Sequence, residues 1–87
     1  MIIWDENKNT KLKLERNVSF EQISRIITDG DLIDILEHPK KHEQMIFVLE
    51  ISNYTYAVPF IVDEKENIVL KTAFPSRKLH QRYRGKK

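Results

Sequence analysis

Two apolar runs, residues 45–51 and 54–61, stand on either side of the dipeptide Ser52-Asn53, and this arrangement constrains the chain more than any other feature. Runs rich in Ile, Val, Phe and Tyr read as strands, and a two-residue link can only make them antiparallel neighbours. Residues 45–51 are apolar enough for a central strand. Pro59 has no N–H to give to a ladder, so its strand requires an edge position or a bulge there. Residues 68–74, beyond the charged loop 63–67, predict a third strong strand. Residues 32–36 predict a short one, stopped by Pro39 and the polar run 40–43. Three or four antiparallel strands are therefore expected.

The segments before the hairpin have a helical period. Ser19 followed by Gln22 is a capping box, and Val18 is placed to staple onto Ile23. Phe20, Ile23, Ile26 and Ile27 then form an apolar stripe, which Asp29-Gly30 closes. Upstream, Asp5 caps a helix expected to run to about residue 15, with Glu6 in its first turn. Only Leu12 and Leu14 are apolar in it, so it reads as a surface element displaying Lys8, Lys11, Lys13 and Arg16. At the far end Pro75 stops the last strand and Ser76 caps a short helix, whose Leu79 and Tyr83 face the sheet. The fold class predicted is α+β: two N-terminal helices, a three- to four-stranded antiparallel sheet and a short C-terminal helix, helices on one side, in a single domain over residues 1–87.

Several function classes are excluded at once. The 87 residues contain no Cys, which removes disulfides, thiolate zinc sites and Cys nucleophiles. Gly30 and Gly85 are the only glycines, too few for a phosphate-cradling loop. Glu37-His38 and His42-Glu43 offer zinc-ligand chemistry, but Pro39 breaks any helix that would bring the two His together. The acidic residues Asp29, Asp31, Asp34 and Glu37 do not have calcium-loop spacing. No metal and no cofactor are expected. The chain lacks an apolar run suited to a signal peptide or a membrane span, so a cytoplasmic location and no membrane partner are expected.

Charge is distributed unevenly. Residues 71–87 hold seven of the fifteen Lys and Arg and none of the thirteen Asp and Glu, so a segment of +7 follows one of −5. Clustered cations gain by displacing counterions from phosphates and by steering encounter, which suits a polyanion or an acidic protein. A solvated tail is the plain alternative.

Trp4-Asp5 with Lys8, then Val18-Ser19-Phe20-Glu21, resembles the opening of the BrnT family of bacterial toxins, W-D-x-x-K followed by H-G-V-S-F-E. The closing segment, Thr72 to Tyr83 with Ser76-Arg77-Lys78 and Arg82-Tyr83, is similar to that family's last strand and basic helix. The chain departs from the pattern at Arg16, where the family has His, at Asn17, where it has Gly, and at Glu15, where Lys is usual, so the resemblance is to a divergent branch. It implies a RelE-like ribonuclease toxin of a type II toxin–antitoxin system. The cognate antitoxin would be of the ribbon-helix-helix type, neutralising the toxin and reaching operator DNA for both. A toxin-fold module that has lost catalysis and binds a protein or nucleic acid is the alternative.

Metal-free RNA cleavage needs a proton acceptor for the 2′-hydroxyl, cations for the charge growing on the phosphorane, and a donor for the leaving oxygen. The catalytic candidates are Lys8, the matched family Lys; Arg16, in the place of the family His; Arg77, at the strand-to-helix junction; and His80, one turn after Arg77 and the best-placed imidazole. Arg16 and Arg77 stay protonated and can only bind or stabilise. Lys11, Lys13, Lys71, Lys78, Arg82 and Tyr83 are candidates for RNA and phosphate binding. For each the plain alternative is structural: a solvated cation or surface His, or, for Tyr83, a core anchor sharing a face with Leu79. Trp4 could stack on a base or pin the N-terminus to the core.

Overall fold

The computed structural model describes residues 1–84; Lys86 and Lys87, part of the basic segment, lie outside the described residues. The elements run β1 (Ile2–Trp4), α1 (Glu6–Arg16), α2 (Phe20–Thr28), β2 (Asp34–Glu37), β3 (Met45–Ile51), β4 (Tyr54–Val62), β5 (Ile68–Leu70), β6 (Phe74–Pro75) and α3 (Arg77–Tyr83).

The hairpin forms as its sequence dictates, with Ile51 opposite Tyr54 and Met45 opposite Phe60. Ser52 and Asn53 both have positive φ, 52° and 65°, the geometry whose twist matches that of paired strands. The sheet order is β1-β5-β4-β3-β2, with β6 also against β4, so β3 and β4 are interior strands and both faces of β3 are buried.

Pro59 is accommodated by a bulge. Phe60 pairs with Leu70 but Ala57 pairs with Phe74, so the register moves by one and residues 71–73 hold one residue too many. The carbonyl of Pro59 accepts from the N–H of Lys71, so its nitrogen points to the same side, away from β3, where the ladder is already interrupted. The expected third strand of residues 68–74 is thereby divided into β5 and β6.

The sheet is mixed, with six strands, where an antiparallel sheet of three or four was expected. Ile2-Ile3-Trp4 pairs in parallel with β5, Ile2 beside Ile68 and Trp4 beside Leu70. Three residues are too few for a period, and the parallel partner β5 comes only after α1, α2, β2, β3 and β4, so nothing local announces the pair. The short strand begins at Asp34, not residue 32, and pairs antiparallel with β3.

Both N-terminal helices obey their caps. Asp5 accepts from the N–H groups of Asn7 and Lys8, Ser19 accepts from Gln22, and Asn17 closes α1 in the left-handed conformation. Leu12, Val18, Phe20 and Ile23 meet Phe47, Leu49, Ile51, Val58, Phe60 and Leu70 in the main core. Phe47 and Phe60 stack at 3.9 Å between ring centres. Trp4 packs on this core 5.9 Å from the ring of Phe20, which settles it as an anchor.

Side chains alternate along a strand, so Asp34, Val48, Thr55 and Ala57 face the opposite way from Phe47 and Val58. On that second face lies α3, tied to Asp34 and Thr55. The helices therefore sandwich the sheet instead of sharing one side. Among the described residues no helix is long and apolar enough to cross a membrane.

Candidate functional site

A cleft of about 350 Å³ opens between α3 and the turn end of the β3–β4 hairpin, lined by Ile33, Glu50, Asn53, Thr55, His80, Tyr83 and Arg84. Its framework follows from the register. Glu50 and Thr55 are partners across the two-residue turn and share the face against which α3 packs. Ser76 starts α3 by accepting from the N–H of Leu79, while its own N–H donates to the carbonyl of Thr55, so the helix begins beside the hairpin end.

His80 is half-buried and held on two sides. Its ring stacks on Tyr54 with 4.2 Å between centres. Its Nδ1 lies 3.3 Å from the backbone N of Thr55 and 3.0 Å from Thr55 Oγ1. A backbone N–H can only donate, so Nδ1 is the acceptor and the neutral ring carries its proton on Nε2. Thr55 itself is buried, 3% exposed, which holds this contact rigid.

Tyr83 is 8% exposed, and its hydroxyl donates to Asp34 Oδ2 across 2.6 Å. Asp34 Oδ1 accepts from the N–H of Ile35, so both carboxylate oxygens are engaged. The Tyr83 bond, then that N–H, hold the Asp34 carboxyl below the usual carboxylate range. The same bond and burial push the Tyr83 hydroxyl up. The Arg82 guanidinium lies 5.2 Å from the centre of the Tyr83 ring. Tyr83 is thus an anchor first, as its spacing from Leu79 allowed.

Of the residues singled out from sequence, His80 and Tyr83 line the cleft. Arg77, Lys78 and Arg82 are exposed on α3 around it, and Lys71 sits half-buried in the bulge. Lys8, Lys11, Lys13 and Arg16 are exposed on α1, whose buried face meets the other side of the sheet. The structure does not bring Lys8 and Arg16 into the cleft with His80, and Lys13 pairs with Glu21 at 3.6 Å.

Sequence reasoning passed over Glu50 and Thr55, read Asn53 only as a turn residue and counted Arg84 only among the cations of the basic C-terminal surface. One signal was available: Glu50 is the only charged residue in the apolar run of β3. The Glu37-His38 region is a turn, with His38 Nδ1 accepting from the N–H groups of Lys40 and Lys41. Among the described residues no three His, Asp or Glu side chains converge as metal ligands would.

No family model matches the sequence, and no curated protein does either. The fold is similar to that of the Brucella abortus ribonuclease toxin BrnT, seen in its crystal structure, with a TM-score of 0.62 at 18% sequence identity. The match covers 86% of this chain and 94% of that one. The chain is therefore built on the fold of a BrnT toxin, the fold that its opening and closing motifs resemble.

Proposed function

We propose that this chain is the toxin of a type II toxin–antitoxin pair, a cytoplasmic endoribonuclease that needs no metal and stops translation until a cognate antitoxin neutralises it. The observation that carries this reading is the fold, shared with a protein described as a ribonuclease toxin. The cleft adds chemistry suited to RNA: an oriented imidazole, a carboxylate and Arg84, with Arg77, Lys78 and Arg82 exposed on the same helix. These cations would draw in the phosphate chain, and Arg77 would meet the scissile phosphate. The antitoxin, of the ribbon-helix-helix class, would cover the same basic surface with an acidic segment and alone contact operator DNA.

A second reading, a toxin fold that binds without cutting, has one observation in its favour. The Nδ1 of His80 and the hydroxyl of Tyr83 are both engaged within the protein, which leaves fewer groups for proton transfer.

Induction of the chain in a bacterial host, followed by colony counts and RNA integrity, separates the two. Growth arrest with RNA cleavage, reproduced by the purified chain in excess chelator, supports the metal-free toxin. Normal growth with intact RNA, at confirmed expression of folded protein, supports the binding module.

A further inference from the structure

We propose that Thr55 is a positioning residue: it holds the His80 ring in one neutral tautomer, so that the Nε2–H is offered as a hydrogen-bond donor to a phosphate oxygen of single-stranded RNA in the cleft. The inference deepens the ribonuclease reading above, from which the RNA is taken, and gives His80 the task of steadying charge instead of moving a proton.

The hairpin dictates where Thr55 turns its backbone. Across a two-residue turn Ile51 and Tyr54 are the hydrogen-bonded pair that closes the ladder, so the next pair, Glu50 and Thr55, points its N–H and C=O groups away from the shared seam. On that side of β4 the short strand β6 pairs no further than Tyr56. The first turn of α3 takes the place of a strand. The carbonyl of Thr55 accepts from the N–H of Ser76 at 3.0 Å, and the N–H of Thr55 donates to His80 Nδ1 at 3.3 Å. One residue thus grips the helix at its cap and again one turn later, where the N–H of His80 donates to the Ser76 carbonyl at 2.9 Å.

The side chain of Thr55 completes the hold. It is buried, and a buried hydroxyl needs a partner. Its Oγ1 lies 3.0 Å from the same Nδ1, and because that nitrogen already accepts from an N–H, the hydroxyl donates to it as well. Tyr54 covers one face of the ring with 18° between the planes, which restrains its tilt. The bond made by one ring nitrogen decides the state of the other. Nε2 therefore keeps the proton and, standing across the ring from Nδ1, turns away from Thr55.

A ring held in this way is a poor base, since Nε2 is protonated and the Nδ1 lone pair is taken. It suits an oxygen that gains negative charge. The non-bridging oxygens of a phosphodiester do so when the neighbouring 2′-hydroxyl attacks, and a donor aimed beforehand needs no reorganisation at that moment. Arg77, Lys78 and Arg82, exposed on α3, attract the phosphate chain from a distance. The imidazole is the donor whose direction the fold fixes. A volume of about 350 Å³ lies at the small end of ligand sites and suits about one nucleotide.

The test uses the purified chain with a short single-stranded RNA and its 2′-O-methyl analogue. Thr55→Val keeps the shape and removes the hydroxyl; it should lower kcat by about 10- to 10²-fold with KM and Tm near wild type, and Thr55→Ser should restore most of the loss. Thr10→Val on α1, the control, should match wild type. His80→Asn keeps an acceptor for the Thr55 N–H and loses the distal donor, so it should cost about 10²- to 10³-fold in kcat, whereas His80→Gln, which carries an amide donor near the Nε2 position, should retain more. Ring-nitrogen NMR of histidine-labelled wild type, with His80 assigned from the His80→Gln spectrum, should show Nδ1 bare and Nε2 protonated, and the Nε2–H signal should move when the analogue binds. A proton on Nδ1, an unmoved Nε2–H signal, equal rates for Thr55→Val and wild type, or His80→Asn cutting as well as His80→Gln would each overturn the inference. Should wild type leave RNA intact, the ribonuclease reading falls, and the NMR signals alone then decide whether His80 is the phosphate donor.

Discussion

Tyr83 reaches across 49 positions of sequence to donate its hydroxyl proton to Asp34, and this 2.6 Å bond fastens α3 to the edge strand β2. It also closes that edge, because the same carboxylate accepts the outward N–H of Ile35 and blunts a row of groups that another strand could pair with. The bond needs Tyr83 protonated and is strongest with Asp34 ionised, which gives it a pH window.

The Asp34 carboxyl is lowered in the folded chain, so its contribution is present above the unfolded value near 3.8 and is lost as pH falls through the lower folded value. The Tyr83 hydroxyl is raised, so its contribution is complete below the unfolded value near 10.0 and is lost as pH rises through the higher folded value. Tyr83→Phe should therefore lower Tm at neutral pH, and the deficit should shrink at both pH extremes. Thermal unfolding of both proteins across this range checks it, and a deficit independent of pH would show that the hydroxyl is not hydrogen-bonded to an ionised Asp34 in solution.

A second prediction concerns Asn9, a fully buried side chain in the middle of α1. Its Oδ1 accepts from the N–H of Phe20 at 2.8 Å, while its Nδ2 donates to Glu21 at 2.8 Å and Glu6 at 3.2 Å. The amide thus joins α1 to the start of α2, and the bond from Asn9 leads the causes that hold the Glu21 carboxyl below its usual range. Asn9→Ala strands a buried N–H and should cost about 1 to 3 kcal/mol. Denaturant unfolding measures this, and a loss below about 0.5 kcal/mol would mean that water reaches the Phe20 amide.

Asn9 shows where legibility ended. The hairpin and the capped helices were written locally, in turn residues and caps, so they could be read without tertiary information; the missing donor of Pro59 announced an edge position or a bulge, and only the interior place of β4 decides for the bulge. A buried Asn cannot be told from an exposed one on a helix of charged residues, since burial depends on what packs against it. The sandwich arrangement was hidden for the same reason. Strand alternation fixes that Asp34 and Thr55 oppose Phe47, but only the path of α3 decides which face it covers. His80 and Tyr83 were found because they lie on one short basic helix. Glu50 and Thr55 were not, because their meaning comes from a cross-strand pair.

Ile23 tests the core that the sequence did reveal. It is fully buried, within the cluster that joins α2 to Phe47 and Leu49 of the sheet. Ile23→Ala removes apolar contacts and leaves a cavity, at about 2 to 5 kcal/mol. Unfolding at several denaturant concentrations should show this loss with the activity per folded molecule unchanged; altered specific activity would mean that the core positions the cleft.

The last prediction separates the two basic faces. Arg77 is exposed at the start of α3, on the face that carries the cleft, whereas Lys8 and Arg16 are exposed on α1 across the sheet. A guanidinium at the scissile phosphate acts in the transition state, so Arg77→Ala should abolish growth arrest and RNA cleavage with Tm within a few degrees of wild type. A cation on the far face can only lengthen the track for a polyanion. The double variant Lys8→Ala/Arg16→Ala should therefore bind long RNA less tightly, with a salt dependence reduced by about one to two units of slope, and cut saturating short RNA at the wild-type rate. Cleavage rates at saturation and binding over a salt series distinguish these outcomes. A chemical step slowed by the α1 substitutions would require RNA to wrap the sheet edge and place the site between the two helices instead.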